Sequence, residues 1–87
     1  MKQYVATFFS HFGAVRFHKL CLAKGWQAHL APVPRTLSSS CGTCVIFTTE
    51  VLEINAHWQS EIITPELEQL VLSENNNYSP LFQANDI

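Results

Sequence analysis

Two cysteines separated by two residues stand in the run Ser38-Ser39-Ser40-Cys41-Gly42-Thr43-Cys44. A cysteine does chemistry as its thiolate, and an ordinary free thiol with a pKa of about 8.5 is mostly protonated at neutral pH. A working thiol therefore needs positive potential or hydrogen-bond donors close by. Arg35 and the hydroxyls of Ser38, Ser39 and Ser40 are the local candidates. Gly42 can take the positive φ that turns successive N–H groups toward one anion, a nest. Such a pocket suits a thiolate, and equally the terminal sulfur of a persulfide on Cys41. Cys44 is close enough in sequence to attack Cys41 and discharge it as an internal disulfide, which gives it a resolving or a supporting role. His11 follows a helix cap and is placed to approach the motif as a base. No acid–base pair points to a stand-alone reaction, so the pattern reads as a carrier rather than an enzyme, with no cofactor called for.

Other chemistries fit the same residues less well. Structural zinc needs a second ligand pair that the chain lacks, unless His11 or a second subunit completes the site. A disulfide closing so short a loop removes little unfolded-state entropy. Serine and glycine are also ordinary turn residues, so an inert turn has the same composition. A nucleotide loop would need a Gly-x-x-x-x-Gly-Lys pattern, which is absent. From a different class comes a small dimeric interaction module, whose CxxC is redox-sensitive or metal-binding. Accessibility and reactivity of Cys41 discriminate between a carrier and an adaptor.

The elements that must position the motif are partly legible. Gln3 to Phe9, rich in aromatic and β-branched residues, predicts a central strand. Ser10 is a helix cap, and the helix runs from about His11 to Lys24 and stops at Gly25. Ala14, Phe17, Leu20 and Cys21 form its apolar stripe, while Arg16, His18 and Lys19 point away. Trp26, Ala28 and Leu30 alternate with Gln27 and His29, as in a half-buried strand. Pro32 and Pro34 impose a stiff, extended lead into the motif. Val45-Ile46-Phe47-Thr48 resumes a buried strand.

The second half supports two readings. Val51, Ile54, Trp58 and Ile62 fit a helical stripe, and Leu52, Ile54, Ala56 and Trp58 fit a strand. A short helix at about 50–60 and a strand at about 66–73 are preferred, although Thr64-Pro65-Glu66 also resembles a helix start. Asn75-Asn76-Asn77 suits a hairpin turn. A closing strand near 78–83 would carry Pro80 and so lie at a sheet edge.

Composition bounds the rest. Eighty-seven residues are one small domain, and 47% hydrophobic with 14% charged residues implies either a well-filled core or a self-association face. All five basic residues precede Cys41 and all seven acidic ones follow it. The simplest expectation is that the halves interleave and their fields largely cancel. Nucleic-acid binding would want a denser basic stripe than a net charge of −2 suggests. An odd cysteine count, no leader-like start and no stretch of about 20 apolar residues point to a reducing cytoplasm and no membrane.

Taken together, Pro34-Arg35-Thr36-Leu37-Ser38-Ser39-Ser40-Cys41-Gly42, the opening Tyr-Val-Ala-Thr-Phe strand and the helix with Ala14 and Leu20 resemble a family. It is the small bacterial and archaeal family of selenium/sulfur carrier-like proteins. The resemblance is carried by residues 3–48, with 49–87 matching poorly. It implies an α+β fold, a ferredoxin-like β-α-β-β-α-β sandwich, here with an extra C-terminal hairpin strand. It also implies that Cys41 is the carrier cysteine, served by a protein donor and a protein acceptor of sulfur or selenium. Cys44 occupies a position that need not be cysteine in the family. A homodimer formed through a sheet edge or an apolar face is the expected assembly.

Overall fold

The computed structural model describes residues 2–37, 39–49 and 64–84. Its elements are β1 (Lys2–Phe8), α1 (His11–Ala23), β2 (Gln27–Pro32), β3 (Thr43–Thr49), β4 (Leu67–Glu74) and β5 (Asn77–Gln83). The strands form one antiparallel sheet in the order β2-β3-β1-β4-β5. With α1 packed on β1, β2 and β3, the chain is an α+β protein. The helix expected at about 50–60, and Trp58 with it, lies outside the described residues.

Local signals set α1. The Ser10 side chain accepts a hydrogen bond from the Gly13 N–H, and the helix ends where Gly25 takes a φ of 81°. Ala14, Phe17 and Cys21 are buried as the periodicity predicts, and Leu20 packs against them. His18 is not simply solvated: its Nε2 donates to the Ala28 carbonyl of β2 at 3.3 Å.

Alternation along each strand splits the apolar side chains between the two sheet faces. Tyr4, Ala6 and Phe8, with Val45, Phe47, Leu67 and Leu70, join α1 in the main core. Phe47 is its centre, with ring centroids 5.4 Å from each of Tyr4, Phe17 and Trp26. Val5, Cys44 and Val71 belong to a second cluster, joined by Ala31, Val33, Leu37, Ile46 and Tyr78. Leu30, expected inward, is exposed because β2 is an edge strand and is covered only in part.

The β4–β5 hairpin turns at Asn75 and Asn76, whose φ angles are 53° and 65°. Two consecutive left-handed residues match the right-handed twist of the strands, and asparagine tolerates them. Pro80 lies on the outermost strand β5, as a residue without an N–H must. Thr64-Pro65-Glu66 forms a turn leading into β4, closed by Leu67 N–H to Thr64 O at 3.1 Å. The two charge halves interleave: Lys2 pairs with Glu74 at 3.0 Å and Arg16 with Glu66 at 3.7 Å.

Candidate functional site

The CxxC motif straddles the connection between β2 and β3, residues 33–42, and the start of β3. Cys41 and Gly42 end the loop, whereas Thr43 and Cys44 already belong to the strand, which begins two residues before the expected Val45 because Cys44 pairs with Ala31. The base of this loop is pinched by Val33 N–H to Gly42 O at 3.1 Å, which prolongs the ladder past Pro32 and Thr43. A turn at Pro34 follows, with Leu37 N–H bonded to Pro34 O at 3.0 Å. Gly42 has a φ of 75°, the left-handed conformation expected of it. Ser38 lies outside the described residues.

Cys41 is half-buried at the edge of the main core, and its Sγ–H donates to the Thr43 carbonyl at 3.4 Å. His11, the first residue of α1, places Nδ1 3.3 Å from Thr43 Oγ1. Thr43 thus links His11 at the helix start to Cys41, and His11 is the basic side chain brought to the motif. Arg35 is exposed in the Pro34 turn and makes no hydrogen bond or ion pair with the described residues.

Cys44 is different in kind. It is fully buried in β3, belongs to the second cluster, and donates Sγ–H to the Pro32 carbonyl at 3.6 Å. Burial pushes its thiol up to about 11, with the neighbouring Cys41 adding to the shift. Cys21 is likewise buried on α1, and burial pushes it up to about 12 against a small opposing effect of Lys24. Of the three free thiols, Cys41 alone is open to solvent in part.

The serines are tied to the sheet. Ser39 Oγ–H donates to the Phe8 carbonyl at 3.4 Å. Ser40 gives both its donors to Glu68, its N–H to Oε1 at 3.2 Å and its hydroxyl to Oε2 at 2.8 Å. Glu68 Oε1 also accepts from Thr7 Oγ1 at 3.3 Å. Glu68, Thr7 and Thr43 are therefore members of the site that motif reading missed. Glu68 gives no local signal, since only strand pairing brings it to Ser40.

Among the described residues no group of three or more His, Cys, Asp or Glu could hold a metal ion. Nor is any described helix long and apolar enough to cross a membrane. One family model matches the chain, that described as "Putative Se/S carrier protein-like", over residues 3–75. This corrects the expectation that likeness ends near residue 48: the match runs on through β4, the strand that pairs with β1 and bears Glu68. No curated protein and no solved structure matches the chain.

Proposed function

The chain belongs to the Se/S carrier-like family, and we propose that it carries sulfur or selenium on Cys41 between a protein donor and a protein acceptor in the cytoplasm. The observation that supports this reading best is the contrast among its thiols. Cys41 is the half-open one, in a loop pinned to the sheet, while Cys21 and Cys44 are buried with raised pKa values.

The chemistry needs no external oxidant. The Cys41 thiolate attacks the outer sulfur of a donor persulfide, forming a new S–S bond. The donor's S–S bond breaks and its thiolate leaves with the electron pair. Cys41 then holds a persulfide, and an acceptor nucleophile takes the outer atom while the Cys41 thiolate departs. Selenium follows the same course as the outer atom. His11, held at Thr43, is the proposed assisting base. Gly42 supplies the turned backbone, and Arg35, Ser38, Ser39 and Ser40 the donors of the binding loop.

Cys44 is proposed as a supporting thiol. To resolve an adduct it would have to leave its buried place beside Val5 and Val71 and lose its raised pKa. The exposed Phe9 and Phe12, which flank Ser10 and His11, offer apolar contact for a donor or acceptor. We also read the fold as ferredoxin-like, supported by the antiparallel order β4-β1-β3-β2 within the sheet. The open edge of β2 supports homodimer formation, since β5 carries Pro80.

Intact-mass spectrometry after incubation with a persulfide donor tests the carrier reading. The expected result is a gain of one sulfur atom, mapped to Cys41 and absent in Cys41→Ser. No adduct on Cys41 under conditions where the donor labels a control thiol overturns it.

A further inference from the structure

Glu68 is skipped by the pairing between β1 and β4. Thr7 faces Gln69 and Phe8 faces Leu67, so the register steps over one residue of β4. An extra residue of this kind bends its strand and re-aims its side chain, and such bulges gather beside functional sites. The re-aimed carboxylate accepts the Thr7 hydroxyl, from a side chain that is fully buried in the central strand, on Oε1. On its other side it takes the N–H and hydroxyl of Ser40, the residue next to Cys41.

We propose that Glu68 is the positioning residue of the Cys41 thiol, a bulge-borne carboxylate that clamps Ser40 and makes the approach to the sulfur selective against anions. The proposal rests on reading Cys41 as the working thiol. Among the described residues between Val33 and Gly42 the loop has one hydrogen-bonded turn, Pro34 to Leu37, and Ser39 to Gly42 lie outside it, so the shape of the segment next to Cys41 depends on tethers to the sheet. Those to Glu68 are charge-assisted, the stronger kind of hydrogen bond, and there are two of them, from the backbone N–H and the hydroxyl of one residue. Ser39 adds only a long contact to the Phe8 carbonyl. Releasing Glu68 therefore frees the segment that leads into Cys41.

The second consequence is electrostatic. A carboxylate fixed one residue from Cys41 repels a small anionic reagent, and a neutral one of similar size is unaffected. Small anionic persulfides are thereby disfavoured against a sulfur presented by a docked protein, whose own charges can face the carboxylate. The clamp also engages both Ser40 donors while Cys41 is a free thiol, so they stabilise an adduct only when Glu68 releases them.

The test compares Cys41 alkylation by iodoacetamide, which is neutral, and iodoacetate, which is anionic, at low salt, with amide hydrogen exchange at Ser40 and Cys41. In Glu68→Ala and Glu68→Gln the iodoacetate-to-iodoacetamide rate ratio should rise about 2- to 5-fold. Exchange at Ser40 should speed about 10-fold in Glu68→Ala, less in Glu68→Gln, which keeps one acceptor oxygen, while β1 amides are unchanged. Ser40→Ala should loosen the loop and leave the ratio at its wild-type value, because the charge remains. A wild-type ratio and wild-type protection in the Glu68 variants overturn the proposal. If Glu68→Ala does not fold, Glu68→Gln and Ser40→Ala still decide it. These readouts follow the thiol itself, so failure of wild-type Cys41 to accept sulfur would overturn the carrier reading and leave the clamp standing.

Discussion

Cys41 and Cys44 pack on different apolar clusters although only Gly42 and Thr43 separate them. Cys41 lies against the helix-side core with Phe8 and Phe17, and Cys44 sits with Val5 and Val71 in the other cluster. Strand alternation causes this: Val45 and Phe47 point to the helix, so Cys44 must point away. Each sulfur has its own carbonyl acceptor, Thr43 for Cys41 and Pro32 for Cys44.

The three thiols should therefore differ sharply in reactivity. With pKa values pushed to about 12 and about 11, Cys21 and Cys44 hold little thiolate near pH 8 and are also closed to reagents. Time-resolved iodoacetamide labelling with peptide mapping should modify Cys41 at least about 100-fold faster than either, on thiolate fraction and access together. Cys21 reacting as fast as Cys41 would remove the basis for assigning Cys41 the working role.

Replacing Cys44 separates the supporting role from the resolving one. Cys44→Ala should leave the lifetime of a sulfur adduct on Cys41 unchanged and lower stability by about 1 kcal/mol, for a small buried group lost. Adduct decay followed by mass spectrometry is the measurement. A lifetime prolonged several-fold would show that Cys44 reaches Cys41 after all, and that β3 opens to let it.

How far the sequence could be read depended on how local each cause is. Ser10, Gly25 and the Ala14-Phe17-Cys21 stripe act within a turn or two of the chain, so cap, stop and buried face of α1 were all legible. Asn75 and Asn76 announced the hairpin in the same way. Thr64-Pro65-Glu66 was ambiguous because a proline one residue after a hydroxyl serves a turn as well as a helix start, and the choice is made by pairing of Leu67 onward with β1. The loop position of Cys41 was legible from its neighbours. The Glu68 contact was not, because a bulge is a mismatch between two strands some 60 residues apart in sequence.

Gly13 has a packing role that helix propensity alone would hide. A Cβ at this position would stand 2.7 Å from Glu66 Cβ, close to the start of a side chain that cannot swing aside. A Gly→Ala change within a helix ordinarily stabilises, by up to about 1 kcal/mol in the interior and less in the first turn, where Gly13 lies. Gly13→Ala should instead destabilise by about 1–3 kcal/mol, the usual result of overpacking. Urea denaturation of the two proteins checks it, and a more stable variant would mean that α1 and the start of β4 separate easily.

Self-association should use the β2 edge. Gln27, His29, Leu30 and Pro32 of that strand are exposed, whereas the opposite edge carries Pro80 in the middle of β5 and cannot continue a ladder there. His18 covers the Ala28 carbonyl, which limits the free edge to the neighbourhood of His29 and Leu30. Light scattering across a concentration series should show a dimer, and Leu30→Lys should shift it toward monomer by at least about 10-fold in dissociation constant. A monomer at every concentration would assign the apolar excess to the core.

Alkaline pH should unfold the protein through its buried thiols. Both Cys21 and Cys44 have folded pKa values raised above that of an unfolded cysteine, by burial first. The native state then holds protons that the unfolded state gives up, so stability is fully present below about pH 8.5 and declines as pH climbs toward 11–12. Each thiol contributes a slope of up to about 1.4 kcal/mol per pH unit in that window. Between pH 8 and pH 10 the two together should lower the unfolding free energy by about 3 kcal/mol, read from urea midpoints at constant ionic strength. The double variant Cys21→Ala, Cys44→Ala should be less stable at pH 8 and lose much less between the two pH values. An equally steep alkaline loss in the double variant would place the cause in other groups and leave the two thiols without a part in it.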